Sequence, residues 1–170
     1  MKIGIISDTH GRIDYTKKAL KRLEQENISH LIHAGDIGNR EILDLMRDFD
    51  AHCTAVFGNN DANLREYQER YNLFYEPHYF KLDGKKIKLM HIPYYLTADS
   101  DIIIYGHLHK FQAEFIKGRL FINPGEICAR SKPVSEFATV EIKESGYEVE
   151  YFYRMITDEK WESKKEVFGG

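Results

Sequence analysis

The 170-residue chain is 42% hydrophobic and 30% charged, an ordinary soluble balance with enough length for one real core. A formal net charge of -3 argues against a nucleic-acid-binding surface, which needs a basic stripe, and no apolar run is long enough to cross a bilayer. Cys53 and Cys128 fall outside any CxxC pattern, so free thiols in a reducing cytoplasm are expected.

The first ten residues, MKIGIISDTH, contain a short apolar run closed by Asp8. It has neither the length nor the cleavage site of a secretory leader. Residues 2–7 are β-branched and lack alternation, which predicts a strand buried on both faces. Residues 14–27 place Tyr15, Ala19, Leu20 and Leu23 at helical spacing. A second buried strand follows over 30–34, then a helix marked by Ile42, Leu45, Met46 and Phe49, then a third strand over 51–57. This β-α-β-α-β order implies a parallel sheet with right-handed crossovers.

The second half changes character. Residues 78–82 and 86–92 flank Asp83-Gly84 and predict a hairpin. Residues 101–105 form another buried run. Four more strands are predicted over 111–116, 119–123, 137–142 and 147–153, making a second, mostly antiparallel sheet. The polar extension 157–170 is expected to be a short helix with a loose end. No repeat or linker divides the chain, so residues 1–170 are expected to be a single domain.

Residues able to bind metals fall at the strand ends. They are Asp8-Thr9-His10, Gly35-Asp36, Gly58-Asn59-Asn60-Asp61, His91 and Gly106-His107-Leu108-His109. In open α/β sheets ligands gather beyond the carboxyl ends of the strands. Any one of these pieces is weak: DxH occurs by chance, and Gly-Asp after a strand is usually a turn or cap. Their order, placement and ligand type agree. Two aspartates, four histidines and one asparagine suit Mn²⁺, Fe²⁺, Ni²⁺ or Zn²⁺ rather than Ca²⁺. Seven side chains exceed the needs of one such ion and suit two, if one carboxylate bridges.

This constellation resembles the calcineurin-like metallophosphoesterases, and most closely their small bacterial and archaeal phosphodiesterases. Ile122-Asn123-Pro124-Gly125-Glu126 resembles a further segment of those proteins. The resemblance implies a four-layer αββα sandwich of two mixed sheets flanked by helices. It also implies two divalent ions per chain, manganese foremost and nickel, iron or zinc as alternatives. Asp8, His10 and His109 would hold one ion, Asn59, His91 and His107 the other, and Asp36 would bridge them. The implied activity is hydrolysis of a small phosphodiester by a bridging hydroxide. A phosphomonoesterase is the alternative enzyme, and a non-catalytic scaffold on this fold, as in a retromer subunit, is the other. Homo-oligomerisation is left open.

Two departures bear on the chemistry. Many relatives place histidine directly after the metal-binding asparagine, where it can protonate the leaving group. Here Asn60 stands there; it can hydrogen-bond a phosphate oxygen but cannot supply a proton. Relatives also continue His-Gly-His where this chain has His91-Ile92-Pro93-Tyr94-Tyr95, so the pocket wall should be shorter and more aromatic. His33 reads as a packed core histidine, and His30, His52 and His78 as structural or surface residues. Arg12 and Arg130 carry guanidinium groups suited to phosphate, with an exposed loop arginine as the competing reading.

Overall fold

The computed structural model describes residues 1–169, apart from the side chain of Tyr95. The first half builds β1 (Lys2–Ile6), α1 (Ile13–Leu23), β2 (His30–His33), α2 (Arg40–Arg47), β3 (His52–Val56) and the two-residue β4 (Leu73–Phe74). The second half builds β5 (His78–Leu82), β6 (Lys85–Leu89), β7 (Ile102–Ile104), β8 (Phe111–Ile116) and β9 (Arg119–Pro124). It ends with β10 (Val134–Lys143), β11 (Gly146–Met155) and β12 (Glu162–Phe168).

These strands form two mixed sheets. The first runs β12-β11-β10-β1-β2-β3-β4 and the second β5-β6-β7-β9-β8. In the first, β1 to β4 are mutually parallel while β10 joins β1 antiparallel, with Ile3 opposite Val140. In the second, β6, β7 and β9 are parallel, and β5 and β8 are antiparallel edges.

Side-chain alternation along β1 shows how the layers are sealed. Ile6 faces the helices with Leu20, Leu23, Ile42 and Met46. Ile3 and Ile5 face the second sheet with Leu89, Ile104 and Ile122. Each such aliphatic side chain removed from water stabilises the fold by about 1.5–3 kcal/mol. Both α-helices lie over the first sheet. The outer face of the second sheet carries a small cluster of Met90, Ile103, Tyr105 and Phe121.

Two expectations are corrected. The strands β10 and β11 extend the first sheet rather than building the second, because β10 pairs with β1 across the chain. The polar C-terminal segment is a strand, not a helix. Its glutamates and lysines favour a helix locally, but cross-strand pairing wins. Lys165 meets Glu148 and Glu150, each at 3.2 Å, and Tyr153 donates to Glu162. Trp161 packs edge-on to Phe137 at 4.8 Å, and Phe168 packs near Phe115 at 6.3 Å. The strand is thereby anchored into both cores.

Candidate metal centre

The carboxyl ends of β1, β2, β3 and β7, with the segment after β6, bring all seven expected ligands together. His91 stands two residues beyond the end of β6 rather than within a strand. Their polar atoms form two clusters that share Asp36. In one, Asp8 Oδ1 lies 3.2 Å from His109 Nε2 and 3.8 Å from His10 Nε2. His10 Nε2 is 3.4 Å from His109 Nε2 and 3.5 Å from Asp36 Oδ2. In the other, Asn59 Oδ1 lies 3.0 Å from His91 Nε2 and 3.1 Å from His107 Nδ1. The same Asp36 Oδ2 is 3.4 Å from His91 Nε2.

A surrounding shell decides which atoms face inward. Asp8 Oδ2 accepts from the Ser7 hydroxyl at 2.6 Å and from the His107 amide at 3.1 Å. Asp8 Oδ1 is buried and has no hydrogen-bond partner. His91 Nδ1 donates to the Ala34 carbonyl at 2.8 Å, because a carbonyl can only accept, so Nε2 carries the lone pair whenever the ring is neutral, and a proton shared with Asp36 when the centre is metal-free. His109 Nδ1 is turned to Glu126 Oε2, so its Nε2 also faces the centre. Such outer partners fix the tautomer of a ligating imidazole. An orphaned carboxylate oxygen and converging imidazole nitrogens fit divalent cations, which would supply the missing partner.

The backbone is committed to this geometry as well. Asp8, His10, Asp36, His107 and His109 all have φ between 44° and 67°, the left-handed region. Each such residue costs on the order of 1–3 kcal/mol unless its surroundings over-determine it. Glycines make the close approaches. A Cβ on Gly58 would lie 2.2 Å from Asp36 Oδ1, and one on Gly106 would lie 2.1 Å from Ser7 Oγ.

Electrostatics reinforce the arrangement. Burial alone would raise the Asp36 carboxyl, but the hydrogen bond and charge of His91 and the Asn60 donors hold it far below the usual range. The Asp8 carboxylate 3.2 Å from Nε2, with Cys128 and Glu126, pushes His109 up to about 12 in the metal-free protein. Burial lowers His10. Burial pushes His33 down to about 3; it accepts from the Gly35 amide and so donates to Thr9 Oγ1, as a core histidine should.

Asn60 is not free to meet a substrate in this conformation. Its amide N–H and its side-chain NH₂ donate to the two Asp36 oxygens at 3.0 and 2.8 Å. Asp61 is buried and accepts from the amides of Ile37, Gly38 and Gly58 at 3.1, 2.9 and 2.7 Å. It staples the loop after β2 to the loop after β3. Asn123 is more than a turn residue: it donates to the Gly106 carbonyl at 2.8 Å and so holds the His107 loop. Sequence reasoning missed the supporting roles of Ser7, Glu76 and Glu126. Glu76 accepts from the amides of His91 and Ile92. Only Glu126 carried a signal, its place in the Asn-Pro-Gly-Glu segment. Arg12 is paired with Asp14 at 3.2 Å and lies over the Tyr15 ring. Tyr94 is exposed, and the Tyr95 side chain lies outside the described residues.

The fold and this rim define a phosphoesterase of the calcineurin-like type. Residues 1–145 match the calcineurin-like phosphoesterase superfamily domain, and the chain belongs to that family. It is 27% identical over 161 residues to phosphodiesterase MJ0936 of Methanocaldococcus jannaschii, covering 86% of this chain and 96% of that protein. A solved archaeal phosphodiesterase superposes with a TM-score of 0.74 at 26% identity, over 99% of this chain and 100% of the other. Vps29 from Chaetomium thermophilum shares the fold, with a TM-score of 0.80 at 15% identity over 99% of this chain and 98% of the other. Among the described residues, no helix is long and apolar enough to cross a membrane.

Proposed function

We propose that this metallophosphoesterase hydrolyses a small phosphodiester at a centre for two divalent ions. The observation that carries the reading is Asp36 Oδ2, which stands 3.5 Å from His10 and 3.4 Å from His91, in reach of both clusters. Asp8, His10 and His109 would hold one ion and Asn59, His91 and His107 the other, with Asp36 shared. Bound ions supply a deprotonated water near neutral pH and offset the charge of the phosphoryl oxygens. The mixed nitrogen and oxygen donors suit Mn²⁺, Fe²⁺, Ni²⁺ or Zn²⁺, and manganese is the first candidate on the family resemblance.

The chain's own residues set the rest. Asp36 stays ionised at working pH, which suits a bridging ligand. Asn59 presents a neutral amide oxygen, so the centre keeps more positive charge for an anionic substrate. Asn60 positions Asp36 through two hydrogen bonds and offers no acidic proton. Asp61 is committed to three backbone amides. Neither neighbour of Asn59 on that side is placed to protonate a leaving alkoxide.

The test is an activity matrix of Mn²⁺, Ni²⁺, Fe²⁺ and Zn²⁺ against aryl and nucleotide phosphodiesters and monoesters, run with His109→Ala and Asp36→Asn. Diester hydrolysis that depends on metal, with loss of both metal and activity in the variants, is expected. Hydrolysis of monoesters alone would make it a phosphomonoesterase. Metal binding with no turnover on any ester would favour the scaffold.

A further inference from the structure

We propose that the pocket beside His10 receives a second phosphate on one arm of the diester, with Arg130 as its partner. The proposal rests on the reading above that the scissile group is a phosphodiester held at Asp36. The pocket has a volume of 430 Å³ and is lined by His10, Arg12, Asn60, Cys128, Ala129 and Arg130. It opens directly onto the centre, because His10 and Asn60 both face Asp36. Its size is within the range of small-ligand sites.

The charges in this pocket are unequal. Arg12 is engaged by Asp14 and stacked on Tyr15. Lys132, two residues beyond Arg130, is paired with Glu136 at 2.6 Å. The Arg130 guanidinium makes no hydrogen bond or ion pair among the described residues, and no carboxylate lines the pocket. Its positive charge reaches His10, whose protonation it opposes. A guanidinium fork matches the oxygens of a phosphate better than any other side chain.

The position of Arg130 is built rather than incidental. Its amide N–H donates to Glu126 Oε2 at 3.1 Å, and the next two amides donate to the same carboxylate. Ala129 adopts a left-handed φ of 53° to make that wrap. The carboxylate that orients His109 therefore also sets the base of Arg130. A second pocket of 220 Å³, next to Asn59, is lined by Phe57 and Tyr75, whose ring centroids lie 4.9 Å apart, and by Arg65 with the carboxylates of Asp61 and Glu76. The pocket beside His10 is the one of the two that holds a cation with no carboxylate in its lining.

The experiment compares two substrates, thymidine 5′-(p-nitrophenyl phosphate) and its 3′-phosphorylated analogue. It also measures calorimetric binding of thymidine 5′-monophosphate and thymidine 3′,5′-bisphosphate to the metal-free protein. Wild type should favour the doubly phosphorylated member of each pair by about tenfold or more, the scale of a charge-assisted contact. Arg130→Gln should bring both ratios close to one, and Arg130→Lys should keep part of the preference. Equal kcat/KM values for the two substrates in wild type, or a preference that survives in Arg130→Gln, would overturn the proposal. If wild type with metal cleaves neither diester, the diesterase reading fails. The binding pair then decides the role of Arg130 alone, and equal affinity for the two thymidine phosphates rejects it.

Discussion

The Glu126 carboxylate lies 2.5 Å from Nδ1 of His109, on the side of the ring away from the centre. Glu126 is fully buried and is also the acceptor for the amides of Arg130, Ser131 and Lys132. It thus fixes the ring and tautomer of one expected ligand. Glu126→Gln should weaken metal affinity by about 10–100-fold while leaving the fold intact, as outer-shell changes do. Metal titration followed by calorimetry would show it, and unchanged affinity would count against this role.

The same pair makes the stability of the metal-free protein depend on pH. Burial would raise Glu126, but His109, Cys128 and the Arg130 amide hold it down at about 2, against an ordinary 4.5. A depressed carboxyl stabilises the fold above its unfolded value and loses that contribution as pH falls toward 2. His109 is raised from 6.5 to about 12, so its contribution is complete below 6.5 and lost as pH rises toward 12. Both contributions are therefore complete between about pH 4.5 and 6.5. Denaturant melts across pH should show a maximum there in wild type and a flatter profile in Glu126→Gln.

Metal loading should raise the melting temperature. A ligand at a hundred times its dissociation constant stabilises the native state by about 2.7 kcal/mol, or roughly 5–10 °C for a chain of this size. Scanning calorimetry with Mn²⁺ and then with a chelator would check this. Asp8→Asn should abolish most of the shift, because Asp8 Oδ1 has no other partner.

The leaving group offers a kinetic test. Asn60 cannot donate a proton and Asp61 is engaged by three amides, so departure should depend on the intrinsic stability of the leaving oxyanion. A series of aryl methyl phosphates should give a steep dependence of rate on leaving-group pKa. A flat line would mean that another group supplies the proton.

Trp161 is the chain's single tryptophan, and it packs between β12 and Phe137. Its fluorescence should change in the same transition as far-ultraviolet circular dichroism, because β12 is part of the first sheet. Trp161→Ala should cost about 1–2 kcal/mol, less than for a fully buried ring. An earlier fluorescence transition would show β12 peeling off first.

Much of the centre was legible because its signal is local. Asp8, Asp36 and Asn59 each follow a short, largely apolar run, and strand-end placement is readable from composition and order. The shell behind them was not legible, since it depends on contacts distant in sequence. His109 meets Glu126 across 17 positions and Asp8 meets His107 across 99. The partition of strands failed for the same reason: periodicity identifies β10 as a strand but cannot choose β1 as its neighbour. The C-terminal strand was misread because Glu and Lys favour helices locally, while the pairing of Lys165 with Glu148 and Glu150 exists only once β11 is in place.

The Asp61 staple bears on any attempt to transplant this centre. By binding the amides of Ile37, Gly38 and Gly58, one carboxylate locks the loops that carry Asp36 and Asn59 into a single rigid block. A designer who copied only the seven inward-facing side chains onto another scaffold would import donors without their frame. The smallest portable module is larger: it includes Asp61, Ser7, Asn123 and Glu126, none of which points a free atom at the centre.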